Sequence, residues 1–242
     1  MRTVWVILNL IFWTILLGGG GTILSIFEWR GKILGRVAHI WSKLILSAAG
    51  VKYSVYGLDH LDSKQNYVFA GNHESPFDIP LAFVGIKHHL ISISKIEYKW
   101  IPIFGWAMQA AKHIFIDRHN HAKALESLKK AAVNLKSNPR SILLFPEGTR
   151  STDGKIHKFK KGGLLLAIET QFPVVPMALC GTSDVAIKGS HKLKSTPIEL
   201  HIGKPIETKE MTFDDRNILT DKVFKEVVRL KSEWEKNYAD SQ

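Results

Sequence analysis

The most reactive side chains of this sequence sit just after short apolar runs. The first group is Gly71-Asn72-His73-Glu74-Ser75-Pro76-Phe77-Asp78, directly behind Tyr67–Ala70. His73 and Asp78 are five residues apart, with Pro76 bending the chain between them. Such a bend can return the carboxylate to the imidazole. One ring nitrogen then donates to Asp78, and the other is left basic and outward-facing, as a general base requires. The plainer alternative is a histidine and an aspartate capping adjacent turns. The sequence contains no Gly-x-Ser-x-Gly elbow and no His-Glu-x-x-His, so neither an acyl-serine hydrolase nor a zincin is favoured.

The second group is Phe145-Pro146-Glu147-Gly148-Thr149-Arg150, behind the apolar run Ile142–Phe145. Gly148 permits an unusual backbone angle or the close approach of a ligand. Arg150 offers a planar fork suited to a phosphate, and Thr149 adds a hydroxyl. Lys158-Phe159-Lys160-Lys161-Gly162-Gly163 leads into an apolar helix whose first amides would favour an anion. A solvated basic loop is the other reading of that stretch. Asp117-Arg118 ends the short run Ile114–Ile116 and is either structural or ligand-facing, and Lys95 closes the run Leu90–Ser94. Cys180, the one cysteine, reads as a packed thiol; a single cysteine excludes an intrachain disulfide framework and a Cys-rich zinc site.

The elements that must position these groups read as strands alternating with helices. Strand-like runs fall at Val51–Tyr56, Tyr67–Ala70, Leu90–Ser94, Ile114–Ile116, Ile142–Phe145, Val174–Leu179 and Ile198–Ile202. Helical patterns cover His121–Ser137, Gly163–Thr170 and Asp214–Tyr238. The expectation is an α/β domain over 51–242 with a mixed β-sheet flanked by helices.

Residues 1–50 differ in character. Thr3 to Phe27 carries no charge, but Gly18 to Gly21 interrupt the run. Glycine costs a helix interior about 1 kcal/mol relative to alanine, so the firm helix is expected to stop at Leu17. Val4–Leu17 would then reach about 21 Å against a bilayer core of about 30 Å. Trp29–Ala49 reads as an amphipathic helix with a basic face of Arg30, Lys32, Arg36, His39 and Lys43. Four of the seven tryptophans, Trp5, Trp13, Trp29 and Trp41, lie in this region, the residue type that favours the headgroup level. Two readings stay open: a single span, or a helix pair joined at the glycine run and seated in one leaflet. A cleaved signal peptide fits less well, with only Arg2 in the n-region and no clear cleavage site.

Composition agrees without choosing. The 242 residues carry a net charge of +11, which suggests a polyanionic partner: nucleic acid, an anionic membrane surface or a phosphorylated substrate. The basic residues form no recognisable nucleic-acid motif. A mean hydropathy of −0.02 excludes a polytopic membrane protein.

Taken together and in order, four blocks resemble the glycerolipid acyltransferase family, in particular its bacterial 1-acyl-sn-glycerol-3-phosphate acyltransferases. They are Asn72, His73 and Asp78 of an N-H-x4-D signature, Phe115 to Arg118, Phe145 to Arg150, and Val175, Pro176 and Ala178. The resemblance covers roughly Val51 to Leu179. It implies transfer of a fatty acyl group from acyl carrier protein or coenzyme A to the sn-2 hydroxyl of lysophosphatidic acid, giving phosphatidic acid. It implies His73 as general base oriented by Asp78. Arg150 would hold the acceptor phosphate with Lys95 and Arg118, and Glu147, Gly148 and Thr149 would line the acceptor site. Glu74 and Ser75 fill variable positions and receive no role. The implied partners are the phospholipid membrane, lysophosphatidic acid and the acyl thioester, with no cofactor, no metal and no nucleic acid. The implied location is the cytoplasmic face of the bacterial inner membrane. The motifs are shared by acyltransferases acting on glycerol 3-phosphate, other lysophospholipids or lyso-ornithine lipid. A non-catalytic binder of anionic membranes is the alternative from outside the enzymes.

Overall fold

A computed structural model describes residues 1–186 and 192–239. Seven strands form one mixed sheet: β1 (Tyr53–Tyr56), β2 (Val68–Gly71), β3 (Leu90–Lys95), β4 (Ile114–Ile116), β5 (Ser141–Leu144), β6 (Val174–Cys180) and β7 (Ile198–Ile202). Their order is β1-β7-β6-β2-β5-β3-β4. Every neighbouring pair is parallel except β6 with β7. The central strands β2, β5 and β6 are buried on both faces, as near-continuous Val, Leu and Ile runs require.

Helices cover both faces. Lys32–Ala48 and Asp78–Gly85 enclose one core, in which Leu46, Leu81 and Phe83 meet Phe69, Leu143 and Val175 of the sheet. His121–Ser137, Lys161–Thr170 and Arg216–Ala239 enclose the other, with Leu128, Leu135, Leu164, Leu219 and Val223 against Ile91, Ile142 and Leu144. Because β2 to β6 run parallel, the loops after their carboxyl ends emerge along one edge. That edge is where open α/β sheets bind ligands.

The N-terminal helix corrects the sequence expectation. It does not end at Leu17 but runs from Arg2 to Phe27, through the glycines. Its path includes a π turn over Thr14–Gly18. Tertiary packing offsets the low helix propensity of glycine. Gly21 faces the next helix so closely that a Cβ there would lie 2.7 Å from Leu34 Cδ2, and Gly18 packs against Ile103 and Ala107. Gly18 and Gly21 are contact points with neighbouring elements, Gly20 faces open space, and the run is continuous helix, not a linker. The break falls instead at 28–31, where Gly31 takes a φ of 78° and the Glu28 carboxylate accepts the Arg30 and Ile33 amides. The helix is long and apolar enough to cross a membrane by length and composition, and most of it is exposed. Trp5 and Trp29 face outward. Trp13 and Trp41 are half-buried, Trp13 donating to Asn9 Oδ1 of the same helix and Trp41 to Thr14 Oγ1 of the N-terminal helix.

Candidate active site

The loop between β2 and the helix Asp78–Gly85 folds around the Asp78 carboxylate. Asp78 is fully buried at the first position of its helix. Its Oδ2 accepts the amides of Glu74 and Ser75, each at 2.8 Å, and its Oδ1 accepts the Thr182 hydroxyl. The same Oδ2 lies 2.7 Å from His73 Nδ1. A carboxylate ringed by donors acts as acceptor, so Nδ1 carries the hydrogen. That fixes the tautomer and leaves the Nε2 lone pair for the groove, which His73 lines.

The imidazole is fixed from a second side. Its ring stacks on Phe145 with centroids 4.2 Å apart and planes 16° apart. Its backbone amide donates to Glu147 Oε1 at 2.8 Å, and its carbonyl accepts from the Ser151 amide at 2.7 Å. Asn72, fully buried, extends the sheet past the end of β2: its amide group exchanges two hydrogen bonds with the Leu179 backbone of β6. The two motif loops are thus tied to each other and to the central strands.

The Phe145–Arg150 loop divides its residues between support and surface. Glu147 is buried and does not face the groove. Its second oxygen accepts the His157 amide at 2.9 Å, so it joins three backbone segments. Burial pushes its carboxyl above the ordinary range, and the two amides pull the other way. Gly148 has a φ of 75°, and its carbonyl accepts a hydrogen bond from Arg118 Nη1 at 2.5 Å. The Lys160 side chain packs beside Gly148, while Lys158 and Lys161 are exposed outside the groove.

His73, Lys95, Arg118, Gly148, Thr149 and Arg150 line one groove of about 780 Å³. Asp78 and Glu147 lie behind it. Among the described residues, neither the Lys95 nor the Arg150 side chain has a hydrogen-bond or ion-pair partner. The same groove has an apolar lining from Leu10, Ile11 and Ile15 of the N-terminal helix and the segment Ile101–Phe104. Thr14, Trp41, Ile79, Ser94, Tyr98 and Phe104 also line a second, almost wholly apolar pocket of about 160 Å³ that reaches Met108 and His113. One site therefore combines a polarised imidazole, cationic side chains and an apolar extension.

The acyltransferase family profile matches residues 52–180, which contain all four sequence blocks. The chain belongs to the acyltransferase family. Among its relatives, a 1-acyl-sn-glycerol-3-phosphate acyltransferase of Limnanthes douglasii is 35% identical over 176 residues, covering 73% of this chain and 62% of the relative. The alpha form of the human enzyme of that name is 30% identical over 174 residues, covering 72% and 62%. This chain therefore matches about three fifths of the length of either relative. The crystal structure of the acyltransferase PlsC from Thermotoga maritima superposes with a TM-score of 0.75 at 26% identity, covering 95% of this chain and 98% of that one. The likeness extends over the N-terminal helices as well as the α/β unit.

Three contributors to the site were not legible in the sequence. Thr182 caps the Asp78 carboxylate from a stretch with no motif. Phe145 supports His73 although it reads as the end of a strand. Glu74, given no role, is buried against Lys231 of the C-terminal helix. Lys231 is the one signal that could have been sought: a lysine at an apolar-face position, between Leu230 and Trp234 in a helix that buries Val223 and Val227.

Proposed function

We propose that this protein transfers a fatty acyl group from an acyl thioester to the sn-2 hydroxyl of 1-acylglycerol 3-phosphate, forming phosphatidic acid. The observation that carries the reading is the His73–Asp78 pair opening onto a groove that also presents Lys95, Arg118 and Arg150. His73 Nε2 takes the hydroxyl proton as the oxygen attacks the thioester carbonyl. Asp78 stabilises the imidazolium that forms. The tetrahedral intermediate then expels the thiolate, which takes the proton back from His73. A thiolate leaves readily, so the reading assigns no metal and no bound cofactor. The phosphate is held by the side chains of Arg150 and Lys95. Arg118 braces the Gly148 turn and adds charge.

Acyl chains fit the apolar wall and the pocket beyond it. The exposed N-terminal helix supports insertion into a bilayer, and the exposed Lys32, Arg36 and Lys43 of the second helix support contact with anionic headgroups. The proposed place is the cytoplasmic face of the bacterial inner membrane, where a soluble acyl thioester meets a lipid acceptor. Either acyl carrier protein or coenzyme A serves as donor in this reading.

The test is acyl transfer by purified protein in lipid, with labelled acyl-carrier-protein and acyl-coenzyme-A donors. The acceptors are 1-acylglycerol 3-phosphate, glycerol 3-phosphate, other lysophospholipids and lyso-ornithine lipid. Phosphatidic acid is the expected main product, and His73→Ala lowers its rate by about 10²–10⁴-fold. Binding to anionic vesicles with no transfer from either donor would sink the reading.

A further inference from the structure

The C-terminal helix, which carries no motif, reaches the catalytic loop through one side chain. Lys231 is buried, and its Nζ lies 3.1 Å from the Glu74 carboxylate, whose side chain is only 3% exposed. Glu74 also accepts from Asn72 Nδ2 at 2.9 Å, and its own amide donates to Asp78 Oδ2 at 2.8 Å. The Lys231 ammonium further approaches the Leu179 carbonyl at 3.4 Å and lies over the Trp234 ring. A continuous chain of contacts thus runs from Lys231 through Glu74 to the carboxylate that holds His73.

Glu74 directly follows His73, so its charge state bears on the imidazole. Burial pushes its carboxyl upward, and Lys231 works against that rise. Burial equally opposes the Lys231 ammonium, but the Glu74 charge leads the neighbours that keep it above its ordinary value. The other titratable groups around the pair are Asp78, Cys180, Glu199 and Glu235. Around His73 they are Asp78, Glu147 and Glu74, the groove cations Lys95, Arg118 and Arg150, and His157 beyond.

We propose that Lys231 is a positioning residue for His73: by neutralising the buried Glu74 it holds the loop that orients Asp78 and sets the electrostatic balance at the imidazole. This rests on the general-base reading of His73 above. A buried pair broken on one side leaves an uncompensated charge, whereas replacement of both partners by neutral groups is tolerated far better.

The experiment is a double-mutant cycle with Lys231→Met, Glu74→Gln and the double variant, measured in the same acyl-transfer assay. Lys231→Met lowers kcat by about 10- to 100-fold through misorientation of the loop, with acceptor KM nearly unchanged. The leftover negative charge moves the acidic limb of the rate profile to higher pH, because it favours imidazolium. Glu74→Gln leaves a positive charge and moves that limb to lower pH. The double variant returns the limb to the wild-type position and recovers most of kcat. His73 titration by NMR, its resonance assigned by its loss in His73→Ala, follows the same shifts without turnover. If wild-type protein transfers no acyl group, the functional reading fails, and the NMR titration still tests Lys231. Should Lys231→Met not fold, Glu74→Gln and the double variant carry the test. Limbs that stay put in the single variants, or that move in the same direction, overturn the proposal.

Discussion

The His73 imidazole lies almost flat on the Phe145 ring, at a centroid distance of 4.2 Å. The partners belong to different motif blocks, the loops after β2 and β5, which are neighbouring parallel strands. Stacking and the Asp78 hydrogen bond constrain the ring about different axes, so Nε2 has one direction in which to point. Phe145→Ala removes one constraint and leaves the dyad's polar groups intact. An aromatic pair is worth about 0.5–1.5 kcal/mol beyond area burial. A fall in kcat of about 2- to 12-fold with unchanged acceptor KM is expected, and Phe145→Tyr retains activity. Steady-state kinetics of the three proteins decide it.

Arg150 and Lys95 are cations without a partner among the described residues, one on the loop after β5 and the other at the end of the neighbouring strand β3, and both line one groove. A charge-assisted hydrogen bond is worth about 1.5–3 kcal/mol, or roughly 10- to 150-fold in affinity. Arg150→Ala therefore raises the KM for 1-acylglycerol 3-phosphate within that range. The effect disappears with an acceptor that lacks the phosphate, such as a monoacylglycerol, and vesicle binding is unchanged. An equal loss with both acceptors would remove Arg150 from phosphate binding.

His113 predicts acid sensitivity of the fold. Its Nδ1 accepts the Ser92 amide at 2.9 Å and lies 2.8 Å from Ser92 Oγ, so a proton on Nδ1 breaks the contact with the amide. Burial depresses the imidazole to about 4. An unfolded histidine titrates near 6.5. The unfolded chain therefore takes up this proton first, and stability falls with pH. The contribution is complete above about pH 6.5 and is lost progressively as pH falls through about 4. The most this can amount to is roughly 3 kcal/mol. Denaturant unfolding at several pH values should show that slope, and His113→Asn should flatten it.

The sequence by itself determined the strand pattern and the loop positions of the reactive groups, and it allowed the pairing of His73 with Asp78 without choosing it over separate turn caps. Each rests on local information: alternating or continuous apolar runs for the strands, and a proline-bent loop for the dyad. The long helix His121–Ser137 was legible for the same reason, since its apolar stripe repeats at helical spacing. The short helices Asp78–Gly85 and Phe104–Ala110 were not, because they are too brief to display a stripe. Tertiary structure alone decided what depends on partners distant in sequence. Gly18 to Gly21 read as a helix break because local propensity is all that sequence exposes, yet Leu34, Ile103 and Ala107 pack against that surface and the helix continues. Thr182 caps Asp78 from 104 residues away, and Lys231 reaches Glu74 across 157. Lys231 stands out locally only as a lysine on an apolar helix face; neither pairing is named by the sequence, because a buried polar group specifies only that it needs a partner, and the packing of helices on the sheet determines which one arrives.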